Sequence, residues 1–378
     1  MTSLQGQWLG EYQTTGPTEI VHGTLLIDID AVEDHYVGYA VIGTDRHNWP
    51  IAFTRFITPD LSLRQTLTAN LLCLDPRTYE PVPWQTVSHL FAGANVTLAP
   101  TADVSIVLVG TTLNVNWHSA QTSTNGSAAI AKSRAGDPSS LSAIQLSNWS
   151  EFKELVQSMP QRQFAFRGQS SNSWRLRTAF HRTGRANLEI YNNQDIKEAQ
   201  QHLSAKTKHF FDMRDTLQFG AFVSLLQHHG YPTPLLDWSS SPFVAAFFAY
   251  RALHRPYDDG KFVRIFQFDI KAWRSLPQFL QLSPIPPHVS LLKTLALENP
   301  RALPQQALST MTNVDDIESF ILRFGDGPDG PILRAIDIPH SERPAVTRDL
   351  EWMGLTAGSL MPGLDGACEQ LRERFFTI

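Results

Sequence analysis

The spacing of apolar residues changes once along this chain, and that change limits what it can fold into. Over the first 120 or so residues the alternation is two-fold: residues 7–12, 24–29, 36–42, 51–57, 104–109 and 113–117 each alternate apolar with polar. Successive side chains of an extended strand face opposite ways, so each segment reads as a half-buried strand. Turn signals at Gly16-Pro17, Glu33-Asp34, Gly43-Thr44-Asp45 and Gly110 separate them at the spacing of a meander. The expectation is an antiparallel β-barrel or sandwich over residues 1–135. A stretch rich in Ser, Ala and Gly follows, and residues 136–147 are the expected linker. From residue 148 helical spacing dominates, beginning with a helix that Ser150 caps and that carries Phe152, Leu155 and Val156. Strands interrupt it, so residues 148–378 are expected to form a mixed domain and the whole chain to be α+β.

Further elements follow from local pattern. Residues 188–211 read as a long amphipathic region with Ile196, Leu203 and Phe210 on its apolar side. Residues 262–269 form a strand, and residues 315–324 and 341–352 form helices. Pro284, Pro286 and Pro287 mark a loop, and the Gly-rich piece 325–330 is a turn, since it lacks the lysine of a phosphate loop.

Composition narrows the function classes. The 378 residues suffice for two domains with separate cores, and 42% hydrophobic with 18% charged residues is ordinary for a soluble globular protein. A net charge of -5 gives no reason to expect a nucleic-acid-binding domain, although Arg162, Arg167, Arg175, Arg177 and Arg182 form a local basic run. Cys73 and Cys368 lie far apart without metal-ligand spacing, which fits a reducing, cytoplasmic setting. No apolar run approaches a membrane span, and the N-terminal residues lack the basic and apolar regions of a signal peptide, so no membrane partner is expected.

The densest polar cluster is QHHGYPTPLLDWSSSPFVAAFFA, residues 227–249. Helical spacing from Leu217 to His229 ends at Gly230, and the helix dipole favours cationic imidazole at His228 and His229. Pro232 and Pro234 enforce extended backbone, and Leu235, Leu236 and Trp238 make a short buried strand around Asp237. Ser241-Pro242 is a helix start, and its N-terminus beside Ser239 and Ser240 is a candidate anion site. Upstream, residues 163–169 alternate and stop at Gly168. Arg167 on that strand either grips a phosphate or carboxylate through its bidentate fork or pairs structurally with Asp237. Adjacent histidines on a helix point about 100° apart, so His228 and His229 are a poor metal pair and no metal is expected.

These residues resemble the FRG domain, named for its Phe-Arg-Gly motif. The motif stands as Phe166-Arg167-Gly168-Gln169, followed by Trp174, Leu176 and Arg182. The second hallmark stands as residues 227–238, a third as Asn299, Arg301 and Gln305, and a C-terminal one as residues 354–366. The FRG domain in turn looks like a distant relative of the ADP-ribosyltransferase fold. The resemblance implies NAD as substrate, and Arg167, Gly168, Gln169, Tyr231, Thr233, Trp238, Ser239 and Ser241 as its binding residues. It implies Arg167, His228, Asp237 and Gln305 as catalytic residues. The usual third-strand Glu of those enzymes has no counterpart near Gln305. The expected function is therefore an NAD-binding, ADP-ribosyltransferase-like or NAD-cleaving effector acting on a protein or nucleic-acid acceptor. An N-terminal β-domain for sensing or targeting makes a bacterial, antiviral defence or toxin role compatible. The alternative is a non-catalytic module that binds a nucleotide or a modified macromolecule.

Overall fold

The structure, a computed structural model, describes residues 3–17, 19–46, 48–94, 96–253, 260–276, 285–292 and 295–376. Its N-terminal part is one curled, ten-stranded antiparallel sheet. Arg64–Asn70 forms one edge, followed across the sheet by Thr101–Val109, Thr112–Ser119, Thr124–Ala131 and Gly6–Thr15. Ile20–Val32, His35–Thr44, Ala52–Ile57, Leu72–Leu74 and Pro81–Val82 complete it. The two edges do not pair, so the sheet is a half-barrel, neither a closed barrel nor a two-layered sandwich. Its concave side holds Trp8, Tyr12, Leu25, Ile27, Phe56, Ile106 and Leu113. Trp8 is fully buried, with its indole N–H donated to Leu4 O at 2.8 Å.

The C-terminal part is built on a seven-stranded sheet in the order Ala143–Gln145, Leu333–Pro339, Phe262–Asp269, Phe164–Gln169, Leu235–Ser239, Ala307–Thr312, Val289–Leu292. Only the first pair is parallel. Helices Trp149–Gln157, Pro242–Arg251 and Arg343–Trp352 share one core with Phe166, Val263 and Ile265. Helices Ile270–Ser275 and Ile317–Leu322 share another with Ala165, Trp238 and Phe266. The chain is mixed α+β, as its periodicity implied.

Several expectations are corrected. The end of the expected linker is the edge strand Ala143–Gln145, whose partner strand lies nearly 200 residues away and is invisible to local pattern. The cap of the first C-terminal helix is Asn148, which accepts from Glu151 N–H at 3.1 Å, rather than Ser150. The region 188–211 is not continuous: a π-helical turn at Tyr191–Asp195 interrupts it and helix Ile196–Leu203 ends early. Phe211, not Phe210, enters the core; Phe210 is 77% exposed. Two members of the basic run are neutralised, because Arg175 pairs with Asp316 at 2.7 Å and Arg177 with Asp315 at 2.5 Å. The expected turn at residues 325–330 is present, at the tip of a small hairpin that pairs Asp326–Gly327 with Gly330–Pro331. Pro284 lies outside the described residues.

The half-barrel docks on the C-terminal domain through buried polar groups. The Gln7 amide donates to Asp28 Oδ1 at 2.9 Å and to Asn313 O at 2.6 Å, and accepts from Asp315 N–H at 2.9 Å. Asp30 pairs with Arg185 at 2.8 Å and accepts from the amides of Ala186 and Asn187. Among the described residues Asp28 has no cation beside it. Burial pushes its pKa up to about 8, aided by the charges of Asp30 and Asp315 and opposed by hydrogen bonds from Tyr39 and Gln7. The folded chain therefore keeps a proton that an unfolded aspartate releases near pH 4. This contribution to stability is complete below about pH 4 and is lost as pH rises towards 8, at about 1.4 kcal/mol per pKa unit. Asp28→Asn is expected to raise the melting temperature at pH 8.5 and to leave it nearly unchanged at pH 4.5. Thermal melts across that range check this; equal effects at both pH values would contradict it.

Candidate functional site

The C-terminal sheet is weakest between its two motif strands. Phe164–Gln169 and Leu235–Ser239 share the single pair Phe166–Ser239. By contrast, Phe164–Gln169 is paired along its length with Phe262–Asp269, and Leu235–Ser239 with Ala307–Thr312. The sheet forks at this point, and a cleft of about 440 Å³ opens at the fork.

Local sequence explains each wall. Alternation along Phe164–Gln169 buries Ala165 in one core and Phe166 in the other, leaving Arg167 at the fork. Helix Thr216–His228, capped by Asp215 and followed by Gly230 at φ +84°, supplies Ser224, Gln227 and His228. Helix Pro242–Arg251, with Ser241 accepting from Val244 N–H at 3.3 Å, supplies Phe248 and Arg251. The loop before Ala307–Thr312 supplies Asn299, Arg301 and Gln305. Asn299 shapes that loop by accepting from Arg301 N–H at 3.3 Å while donating to Ser224 Oγ at 3.3 Å.

The cleft is cationic. Arg251 is neutralised by Glu369, to which it donates twice. Among the described residues neither Arg167 nor Arg301 has a carboxylate within ion-pair distance, and the buried Nε of each has no hydrogen-bond partner. Arg167 Nη1 donates to the backbone carbonyl of Asp237 at 2.7 Å, not to its carboxylate. It thus bridges the fork where the strand ladder lapses. Burial lowers the Arg167 pKa, partly offset by the charge of Asp237, with Arg182 lowering it further. Burial also lowers that of His228, followed by the charges of Arg301 and His229, which favours its neutral imidazole. Asp237 is exposed at the cleft wall and is the acidic side chain that lines it among the described residues.

The sequence profile of the FRG domain matches residues 162–258. The chain carries an FRG domain. The matched span holds the arginine strand, helix Thr216–His228, the Asp-Trp strand and helix Pro242–Arg251, which are four of the elements that make the cleft. Searches of curated proteins and of solved structures returned no match. The geometry explains the residues that name the FRG domain. Phe166 anchors the strand in the core, Arg167 faces the cleft, and Gly168 lies directly beneath Ala245 of the crossing helix.

The residues expected at the site divide into two groups. Arg167, Gly168, His228, Asp237, Ser239 and Gln305 meet in the cleft. Trp238 touches it, yet its indole is 3% exposed, donates to Thr310 Oγ1 at 3.1 Å and packs 5.2 Å from Phe268. It is a core residue and cannot stack on a ligand. Gln169, Tyr231, Thr233 and Ser241 do not line the cleft. Tyr231 packs against Tyr191 at 6.4 Å, and Thr233 donates to the Gln227 side chain. The serines expected at the anion site are engaged within the junction. Ser239 donates to Gln305 O at 2.8 Å and accepts from Ser241 N–H at 3.0 Å, while Ser241 caps its helix. The Gln305 amide donates to Leu360 O at 3.0 Å, which ties the C-terminal segment to the floor of the cleft.

Two residues were missed. Arg301 belonged to a recognised motif without a role, and its lack of an acidic partner is visible only in three dimensions. Phe248 lies on a helix apolar nearly all round, so the half-buried ring that faces the cleft could not be told from its neighbours. Among the described residues no group of three His, Cys, Asp or Glu side chains forms a metal site. No helix there is long and apolar enough to cross a membrane.

Proposed function

We propose that the cleft of the FRG domain binds a nucleotide through its phosphates, with NAD the expected ligand, and acts on the nicotinamide–ribose bond. The observation that carries this reading is the pair Arg167 and Arg301. Two guanidiniums without carboxylate partners line one cleft, which is the charge pattern a pyrophosphate satisfies. Phe248 offers a face for a base or for nicotinamide, the task expected of Trp238. When the glycosidic bond breaks, its electron pair leaves with nicotinamide and the ribose carries positive charge. Asp237 is the side chain able to stabilise that charge before water or a macromolecular acceptor adds its nucleophile to the ribose. Neutral His228 can hydrogen-bond a ribose hydroxyl. The half-barrel then serves sensing or targeting, in line with a defence or toxin role.

The exposure of Asp237, and the lack of a glutamate among the described lining residues, support a second reading: a module that binds the nucleotide without cleaving it. Calorimetric titration with NAD and ADP-ribose, run beside an assay of nicotinamide release, separates the two. Arg301→Ala is expected to weaken binding at least tenfold. Asp237→Asn is expected to keep binding and to slow release about 100-fold. Release is expected to persist in chelator. Binding without release selects the second reading, and no binding of either nucleotide at millimolar concentration removes both.

A further inference from the structure

The half-barrel encloses a second cavity, remote from the cleft and different in chemistry. Its volume is about 80 Å³, and Thr54 carries the one hydroxyl that lines it among the described residues. The floor is fully apolar, with Leu25 and Ile27 buried. The rim is also apolar but only half-buried, at Ile42, Leu67, Val104 and Trp117.

Register shows why the space exists. Leu67 faces Val104 across the ladder, and the next inward pair is Ala69 with Ala102. Ala40 lines the same space from the opposite strand, where it is paired with Thr54. Inward positions of a small curled sheet are normally filled by branched or aromatic side chains, and alanine is disfavoured in strands. Three alanines facing one spot remove volume where close packing would otherwise fill it. Apolar cavities of this kind exclude water and accept apolar molecules instead. The half-buried rim gives such a molecule a way in.

We propose that the half-barrel binds a small apolar molecule, a hydrocarbon chain of a few carbons without a required polar group. The ligand sits between Ala69, Ala102 and Ala40, with Trp117 at its entrance. Xenon is a suitable probe, because a single atom fits a space of about 80 Å³ and the ¹²⁹Xe resonance reports binding to the intact chain directly. Saturable binding is expected in the unmodified protein, with at least a tenfold loss in Ala69→Leu and in Ala102→Leu. Both variants are also expected to melt at or above the unmodified protein, since the added side chain enters empty space. The proposal is overturned if the unmodified chain shows no saturable binding, or if binding survives in both variants. It is equally overturned if both variants melt well below the parent or fail to fold, because the space would then be closed. Nucleotide binding by the cleft is measured separately and is expected to be unchanged in both variants.

Discussion

Replacing Gly168 by alanine is expected to cost the FRG domain about 3 kcal/mol or more of stability, and by valine to prevent its folding. A Cβ at this position would stand 1.9 Å from Ala245 O, 2.8 Å from Ala245 C and 2.9 Å from Ala249 Cβ. Two of those atoms are helix backbone, which no rotamer change can move aside. The helix itself cannot easily withdraw. Ser241 caps its start, Val244, Ala246 and Ala249 are buried in the core, and the Tyr250 hydroxyl donates to Pro339 O at 2.8 Å near its end. Global stability of a domain is only about 5–15 kcal/mol, so the valine variant leaves little or none. Gly43→Ala is the control, because nothing lies within 4 Å of a Cβ there and its φ is not positive. Thermal melts by circular dichroism should show a large fall for Gly168→Ala and almost none for Gly43→Ala. Equal melts would mean that the helix does not press on this strand.

Near-range features of the site were legible and long-range ones were not. The strand that stops at Gly168, the helix that ends before Gly230 and the helix that starts at Ser241-Pro242 each follow from a few adjacent residues, and each is found within a residue or two of the expected place. Six of the ten half-barrel strands were legible for the same reason, by alternation alone, whereas Arg64–Asn70, Leu72–Leu74, Pro81–Val82 and Thr124–Ala131 were not. Their order across the sheet was not, because pairing depends on packing between segments far apart in sequence. The fates of Arg175 and Arg177 depended on Asp316 and Asp315, about 140 residues away. Trp238 illustrates the same limit inside a motif. Alternation put Asp237 and Trp238 on opposite faces, but only the completed sheet shows that the tryptophan face is the one packed against Phe268. The fork between the motif strands is also a long-range fact, and it makes the cleft.

That fork is why Arg167→Ala is expected to abolish nucleotide binding while leaving the fold intact. Among the described residues Arg167 makes one hydrogen bond, to a backbone carbonyl, and it neutralises no buried acid, since Asp237 is exposed to water. Losing one such bond costs roughly 1 kcal/mol. Arg264 supplies the contrast. It holds Asp337 through bonds of 2.8 and 2.9 Å, both side chains are nearly inaccessible, and removing it strands a buried carboxylate at a cost of about 3–5 kcal/mol. Arg264→Ala should therefore fail to fold well, and Arg167→Ala should melt close to the parent. NAD affinity in Arg167→Ala is expected to fall at least 100-fold, because in the proposed reading the guanidinium at the fork and Arg301 grip the phosphates together. Arg167→Lys should restore little of it, since a point charge lacks the planar fork. The decisive pair of measurements is a melt and a titration on the same preparation. A steep drop in melting temperature with NAD affinity retained would make Arg167 a structural tie across the fork, and the phosphate grip would then fall to Arg301.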